Sequence, residues 1–147
     1  MTLEELKELV GREIAVTEWM EITQERIDKF ADATDDHQWI HIDRERAQKE
    51  SPYGTTIAHG FLTLSLLPKF LKDSIQLSDL RMAINYGLNR VRFPSAVCVG
   101  SRIRAHIVLQ SMRDLEDSTQ AIYLFTLESQ GAVKPCCVAE SVVRYYR

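Results

Sequence analysis

The chain has 147 residues, 45% of them hydrophobic and 27% charged, with a formal net charge of -3. That length suits one compact domain spanning 1–147, which buries a core without a disulfide or metal staple. The mild acidity lacks the basic footprint that a phosphate backbone demands, so nucleic acid is not an expected partner.

Met1 to Lys7 has neither the charge nor the apolar run of a signal peptide, and no stretch approaches the roughly 20 apolar residues of a membrane span. Cys98, Cys136 and Cys137 are odd in number and lack a C-x-x-C spacing. Adjacent cysteines on a strand point to opposite faces, so reduced structural thiols and a cytoplasmic location are expected.

In chain order, Thr2 and Glu5 make a capping-box pattern, and Leu3, Leu6 and Val10 fall on one helical face before a stop at Gly11. Arg12 to Met20 reads as a strand, with Ile14 and Val16 alternating against polar neighbours. Thr23 caps a helix with Ile27, Phe30 and Ala31 on its inner face, and Asp43 caps a short one through Lys49. Between them, Asp35 to Asp43 reads as loop or extended chain. Ser51-Pro52-Tyr53-Gly54 is a turn. Phe61 to Ile75 is apolar almost all round in its first turns, which predicts a long, buried helix that Pro68 kinks or interrupts.

The rest of the chain alternates with period two. Ile103, Ala105, Ile107 and Leu109 oppose Arg102, Arg104 and His106, and Tyr123, Phe125 and Leu127 oppose Ile122, Leu124 and Thr126. Val138, Val142 and Tyr146 interleave with Ala139, Val143 and Tyr145. The alternation slips between Ile84-Tyr86-Leu88 and Val91-Phe93, which predicts a bulge. Strands after one buried helix imply an α+β domain: an antiparallel sheet wrapped round a long central helix. Such a sheet has exposed edges, and pairing with a second copy covers one economically, so a homodimer is expected.

Asp35 to Asp43 is the densest cluster of ionisable groups. Asp36 and His41 can be brought together by a bend to share one water, which suits proton removal from water and proton delivery to carbon. The plainer reading is a polar loop whose charges cap the next helix. Ala58, His59 and Gly60 lead into the apolar helix, whose first N–H groups lack intrahelical partners. A thioester carbonyl there would find donors for a developing enolate. His59 is equally readable as a polar residue with no role in the reaction, and the hydroxyl of Ser65 as bonding back along its own helix.

Asp36-x4-His41-x-Asp43, followed by Ile57-Ala58-His59-Gly60-Phe61-Leu62-Thr63-Leu64-Ser65, resembles the MaoC-like dehydratases, the family of (R)-specific enoyl-CoA hydratases. Asn85 to Pro94 and Val99 to Arg102 look like the nodulation-protein-N branch. The resemblance covers roughly residues 13 to 145. It implies a single hot-dog domain, side-by-side dimerisation, Asp36 and His41 as the catalytic pair, and Ser65 as a residue orienting the carboxylate. It places the oxyanion-binding N–H groups around Ala58 to Gly60. The implied reaction is reversible syn addition of water to a trans-2-enoyl thioester, giving the (R)-3-hydroxyacyl thioester. Asp36 takes a proton from water, and His41 holds that water and delivers a proton to C2. Coenzyme A enters only as part of the substrate, with an acyl-carrier thioester as the alternative, and no metal or other cofactor is expected.

The family pattern has Gly before the Asp and Asn-Pro between Asp and His; here Asp35 and Gln38-Trp39 stand there. The replacement bears on substrate choice more than on reaction type. Trp39 is expected either beside the acyl chain or in the core. Arg90, Arg92, Arg102 and Arg104 are candidates for coenzyme A phosphates, because guanidinium matches phosphate geometry. Two other functions fit the same features, an acyl-CoA thioesterase and a non-catalytic acyl-binding module; thiol release, or binding without turnover, distinguishes them.

Overall fold

The computed structural model describes residues 1–147. Its helices are α1 (Leu3–Lys7), α2 (Gln24–Thr34), α3 (Trp39–Ile42), α4 (Arg44–Glu50), α5 (Gly60–Ser65) and α6 (Leu67–Ser74). Its strands are β1 (Glu13–Val16), β2 (Met20–Glu21), β3 (Met82–Arg92), β4 (Arg102–Asp114), β5 (Thr119–Ser129) and β6 (Cys137–Tyr146). They form one antiparallel sheet in the order β1-β4-β5-β6-β3, with β2 also paired to β4.

The period-two pattern decides which face is inside. Ile103, Ala105, Ile107 and Leu109 are fully buried with Tyr123, Phe125, Leu127, Ala139 and Tyr145, and they pack on Leu62, Leu66, Leu67 and Phe70. α6 lies over β4 and β1, and α5 lies against β6. The expected bulge is present: the β3–β6 register shifts between Asn85 and Gly87 and again between Leu88 and Arg90.

The predicted long helix is two pieces, broken at Leu66, because Pro68 sits in the first turn of α6 and cannot donate a helical hydrogen bond. Nor is its start buried all round: Phe61 is 69% exposed. The single strand predicted over 12–20 is two short ones, β1 and β2, both on β4, and Val16 is exposed. α1 ends at Lys7, so Val10 lies beyond it, exposed. The loop predicted over 35–43 contains the one-turn helix α3. The capping box at Thr2 and Glu5, and the caps Thr23 and Asp43, form as predicted. No helix is long and apolar enough to cross a membrane.

Candidate active site

α2 ends at Asp35, whose φ of 57° and ψ of 26° are left-handed. Glycine is favoured there, and Asp is among the few side chains that tolerate it. Asp35 thus makes the turn for which the family pattern uses Gly. Asp36 follows with its side chain 54% exposed, its Oδ1 facing the Gln38 N–H at 3.4 Å.

His41, on α3, is buried. Gln24 of α2 holds α3 in place: its Nε2 donates to the His41 carbonyl at 2.8 Å while its Oε1 accepts from Thr56. The imidazole Nδ1 lies 2.7 Å from the Ile57 carbonyl. A carbonyl only accepts, so Nδ1 carries the proton and Nε2 is left as an acceptor; the tautomer is assigned from this bond. Burial pushes the His41 pKa below the usual imidazole range. The Ile57 carbonyl opposes that shift, His59 adds to it, and Asp36 opposes it.

His59 caps α5 and is 3% exposed. Its ring stacks on His41 with centroids 3.8 Å apart and planes 24° apart, and Phe30 lies 4.9 Å away on α2. Its Nε2 donates to the Asp36 carbonyl at 3.0 Å and lies 4.0 Å from Asp36 Oδ2. Its Nδ1 is buried with no partner. Asp36, His41 and His59 thus bring one donor atom each to within 4.8 Å of one another. The stacked rings carry their nitrogen lone pairs in nearly parallel planes, whereas a zinc ion requires them to converge at about 2.0–2.1 Å. With His59 Nε2 committed to a carbonyl, the trio is not arranged as a ligand set.

The other expected site residues divide. Ala58 N–H donates to the Val97 carbonyl at 2.8 Å, which takes it out of the donor group, while the N–H groups of Gly60 and Phe61 have no acceptor. Gly60 is pressed against Phe93: a Cβ there would lie 3.1 Å from the ring. Ser65 is exposed and donates to the Phe61 carbonyl at 2.7 Å, not to Asp36. It lines a cavity of about 380 Å³ with Leu64, Pro68, Asn85, Leu88 and Ser141. A second cavity of about 440 Å³ shares Pro68 and Asn85 and continues past Leu71 and Ile75 to Leu80. Trp39 is half-buried under the Arg46 guanidinium, 4.3 Å from its ring, and two helical positions from His41, so it faces elsewhere.

The arginines do not gather at the site within one chain. Arg90 and Arg92 line the outer face of the sheet with Glu140, around a cavity of about 490 Å³ on the side away from α5 and α6. Arg104 is paired with Glu128 at 2.8 Å and lies over Trp19. Sequence reasoning missed the Ile57 carbonyl, the stack of His59 on His41, and Phe30 behind it. These contacts join segments 16 to 29 residues apart through backbone atoms and ring faces, which leave no periodic signal.

Comparison with known families matches residues 5–128 to the MaoC like domain. This chain belongs to the MaoC-like family. The 3-hydroxyacyl-thioester dehydratase Z of Mycobacterium tuberculosis is 51% identical to it over 142 residues, covering 96% of this chain and 93% of that one. The nodulation protein N of Rhizobium leguminosarum bv. viciae is 43% identical, covering 95% and 88%. Among solved structures, an (R)-hydratase from A. caviae superposes with a TM-score of 0.74 at 24% identity, covering 91% of this chain and 94% of that one. The MaoC-like sheet around α5 and α6 is therefore the hot-dog fold, as expected.

Proposed function

We propose that this MaoC-like protein adds water reversibly to a trans-2-enoyl thioester, giving the (R)-3-hydroxyacyl thioester, with Asp36 and His41 as its acid–base pair. The carrying observation is the half-exposed carboxylate of Asp36 beside a buried, neutral imidazole whose Nδ1 is bonded to the Ile57 carbonyl, leaving Nε2 free. The water oxygen bonds to C3. Asp36 draws one proton from that water while His41 Nε2 holds it. His41 begins neutral, so it gives a proton to C2 only after receiving one, and the proton taken by Asp36 returns through it. Both groups end the turnover as they began. The uncommitted N–H groups of Gly60 and Phe61 are the donors for the thioester oxygen as C2 becomes enolate-like. The dehydratase name of the 51% identical relative supports the same chemistry. Every proton in this scheme has a protein or water source, so it needs neither metal nor further cofactor.

The acyl chain runs along the paired cavities from Ser65 toward Leu80, whose walls are mostly apolar. Free coenzyme A is the simplest carrier of the thioester. The working form is a homodimer: β3 is an edge strand paired on one side only, Leu88 on it is exposed, and Phe61 and Phe93 are exposed nearby. Three unpaired thiols, with burial raising Cys136 to about 11 and Cys137 to about 12, fit the reducing cytoplasm.

Crotonyl-CoA hydration, followed by loss of the conjugated enoyl-thioester absorbance, tests the proposal alongside Asp36→Asn and a free-thiol assay. We expect turnover in the wild type, at least about a hundredfold less in Asp36→Asn with its melting temperature retained, and no thiol release. Full activity in Asp36→Asn, thiol release, or no hydration of enoyl-CoA of any chain length would overturn it.

A further inference from the structure

His59 fits poorly as a substrate contact. It is 97% buried, being 3% exposed, and both neighbours of its ring are protein. Its position has another meaning. It touches both members of the acid–base pair by different means: an Nε2–H bond to the Asp36 carbonyl, and a ring face on His41. The side chain of Asp36 is otherwise tethered only by the long contact to Gln38 N–H. The backbone carbonyl held by His59 is therefore the firmest anchor the carboxylate has.

We propose that His59 is a positioning residue for the reaction, one that fixes Asp36 relative to His41 and keeps His41 in its neutral, proton-accepting form. This rests on the hydratase reading above. Two causes support it. First, a small displacement of a reacting group slows chemistry by orders of magnitude, and the Nε2–H bond removes the freedom of the exposed turn that carries Asp36. Second, protonating both stacked rings would set like charges 3.8 Å apart, so the stack opposes charge on His41. The titratable groups facing His41 are Asp36 from the turn after α2 and His59 from the start of α5; the Ile57 carbonyl bonds its Nδ1, and Phe30 of α2 packs on the ring of His59. Burial and His59 lower the His41 pKa against the pull of the carbonyl and of Asp36. The partnerless Nδ1 of His59 is consistent with a positioning role, since an unsatisfied buried acceptor is a cost that packing alone does not require.

Two substitutions separate the effects. His59→Phe keeps a ring face on His41 and removes the donor. His59→Gln keeps a donor near the Nε2 position and removes the ring. With crotonyl-CoA we expect His59→Phe to lose about tenfold to a hundredfold in kcat with KM little changed. We expect His59→Gln, which keeps the donor, to retain more kcat, and both variants, having lost the ionisable ring, to shift the acid limb of the kcat/KM profile toward higher pH. Wild-type kcat and an unshifted acid limb in both folded variants would overturn the proposal. If either variant fails to fold, nitrogen NMR of the wild-type imidazoles decides. Protonation of His59 at Nε2 and of His41 at Nδ1 is the expected pattern at neutral pH, and the opposite tautomer of His59 would refute it. The NMR reading holds whether or not crotonyl-CoA is a substrate, so failure here is distinguishable from failure of the hydratase reading.

Discussion

Asp35 carries strain that its neighbours do not. It stands in left-handed backbone at the end of α2, a conformation that costs a residue with a Cβ about 1–2 kcal/mol, and its negative charge lies at the negative end of the helix. Asp35→Gly should therefore raise stability by about 1 kcal/mol, seen as a melting-temperature increase of about 2–4 °C; an unchanged or lower value would contradict the strain. His41 carries a different signature. Its folded pKa lies below the unfolded one, so between the two values the unfolded chain binds more protons and stability rises with pH. Acidification below about 6.5, the ordinary imidazole value, removes stability until the folded ring is itself charged. Urea midpoints measured from about pH 7 down to about pH 5 should fall, and the fall should shrink in His41→Gln. The acid limb of kcat/KM should likewise lie below that ordinary value.

At the scale of elements, the site depends on how α5 begins. The chain enters it pinned by the Ala58 N–H to Val97, turns at His59, and exposes the N–H groups of Gly60 and Phe61. Gly60→Ala sets a methyl 3.1 Å from the Phe93 ring. Phe93 is 40% exposed and has room to give, so the stability cost should stay below about 1 kcal/mol. Turnover should suffer more, because the methyl also crowds the approach of a thioester oxygen. We expect kcat/KM to fall about tenfold or more on crotonyl-CoA, against an upper range of about 10²–10³ for losing one such donor. Equal losses in stability and none in turnover would mean that the N–H groups of α5 do not meet the substrate. Pro68 then ends the helical entry early, and the break at Leu66 lets α6 follow the sheet toward β1 while α5 stays on β6.

For the whole molecule, the long open edge is β3, opposite the short edge strands β1 and β2. Its eleven residues pair only with β6, and its exposed apolar side chains include Met82, Ile84, Tyr86 and Leu88. On α5 and α6, Phe61, Leu64, Ser65 and Pro68 form a helical stripe along the same side. The second copy of the proposed dimer would cover both at once. An antiparallel pairing centred on Gly87, the middle of the strand, sets Ile84 against the partner's Arg90. Ile84→Arg should therefore oppose dimerisation by placing like charges across the seam. Sedimentation should show twice the 16.9 kDa chain mass for the wild type and a shift toward monomer in the variant. A monomeric wild type would rule out the pairing.

Much of this protein was legible in its sequence, because the relevant signals are local. Period-two alternation in β4, β5 and β6 assigns each side chain to a face, since successive Cβ atoms point oppositely, and the burial of these strands follows that alternation over most of their length. Thr2, Thr23 and Asp43 cap helices through contacts three residues along. The Asp36-x4-His41 spacing and the Ala58-His59-Gly60 run marked the two segments that meet. Other features needed the folded chain. The left-handed role of Asp35, the break at Leu66 and the split of the first strand are choices that tertiary packing makes among locally permitted conformations. That the Ile57 carbonyl selects the His41 tautomer, that the His59 ring stacks on that of His41, and that Arg90 and Arg92 lie on the far face were decided only by tertiary structure. Each depends on a backbone atom, a ring plane or a side of the sheet, and these are properties of position in space that residue type alone does not carry.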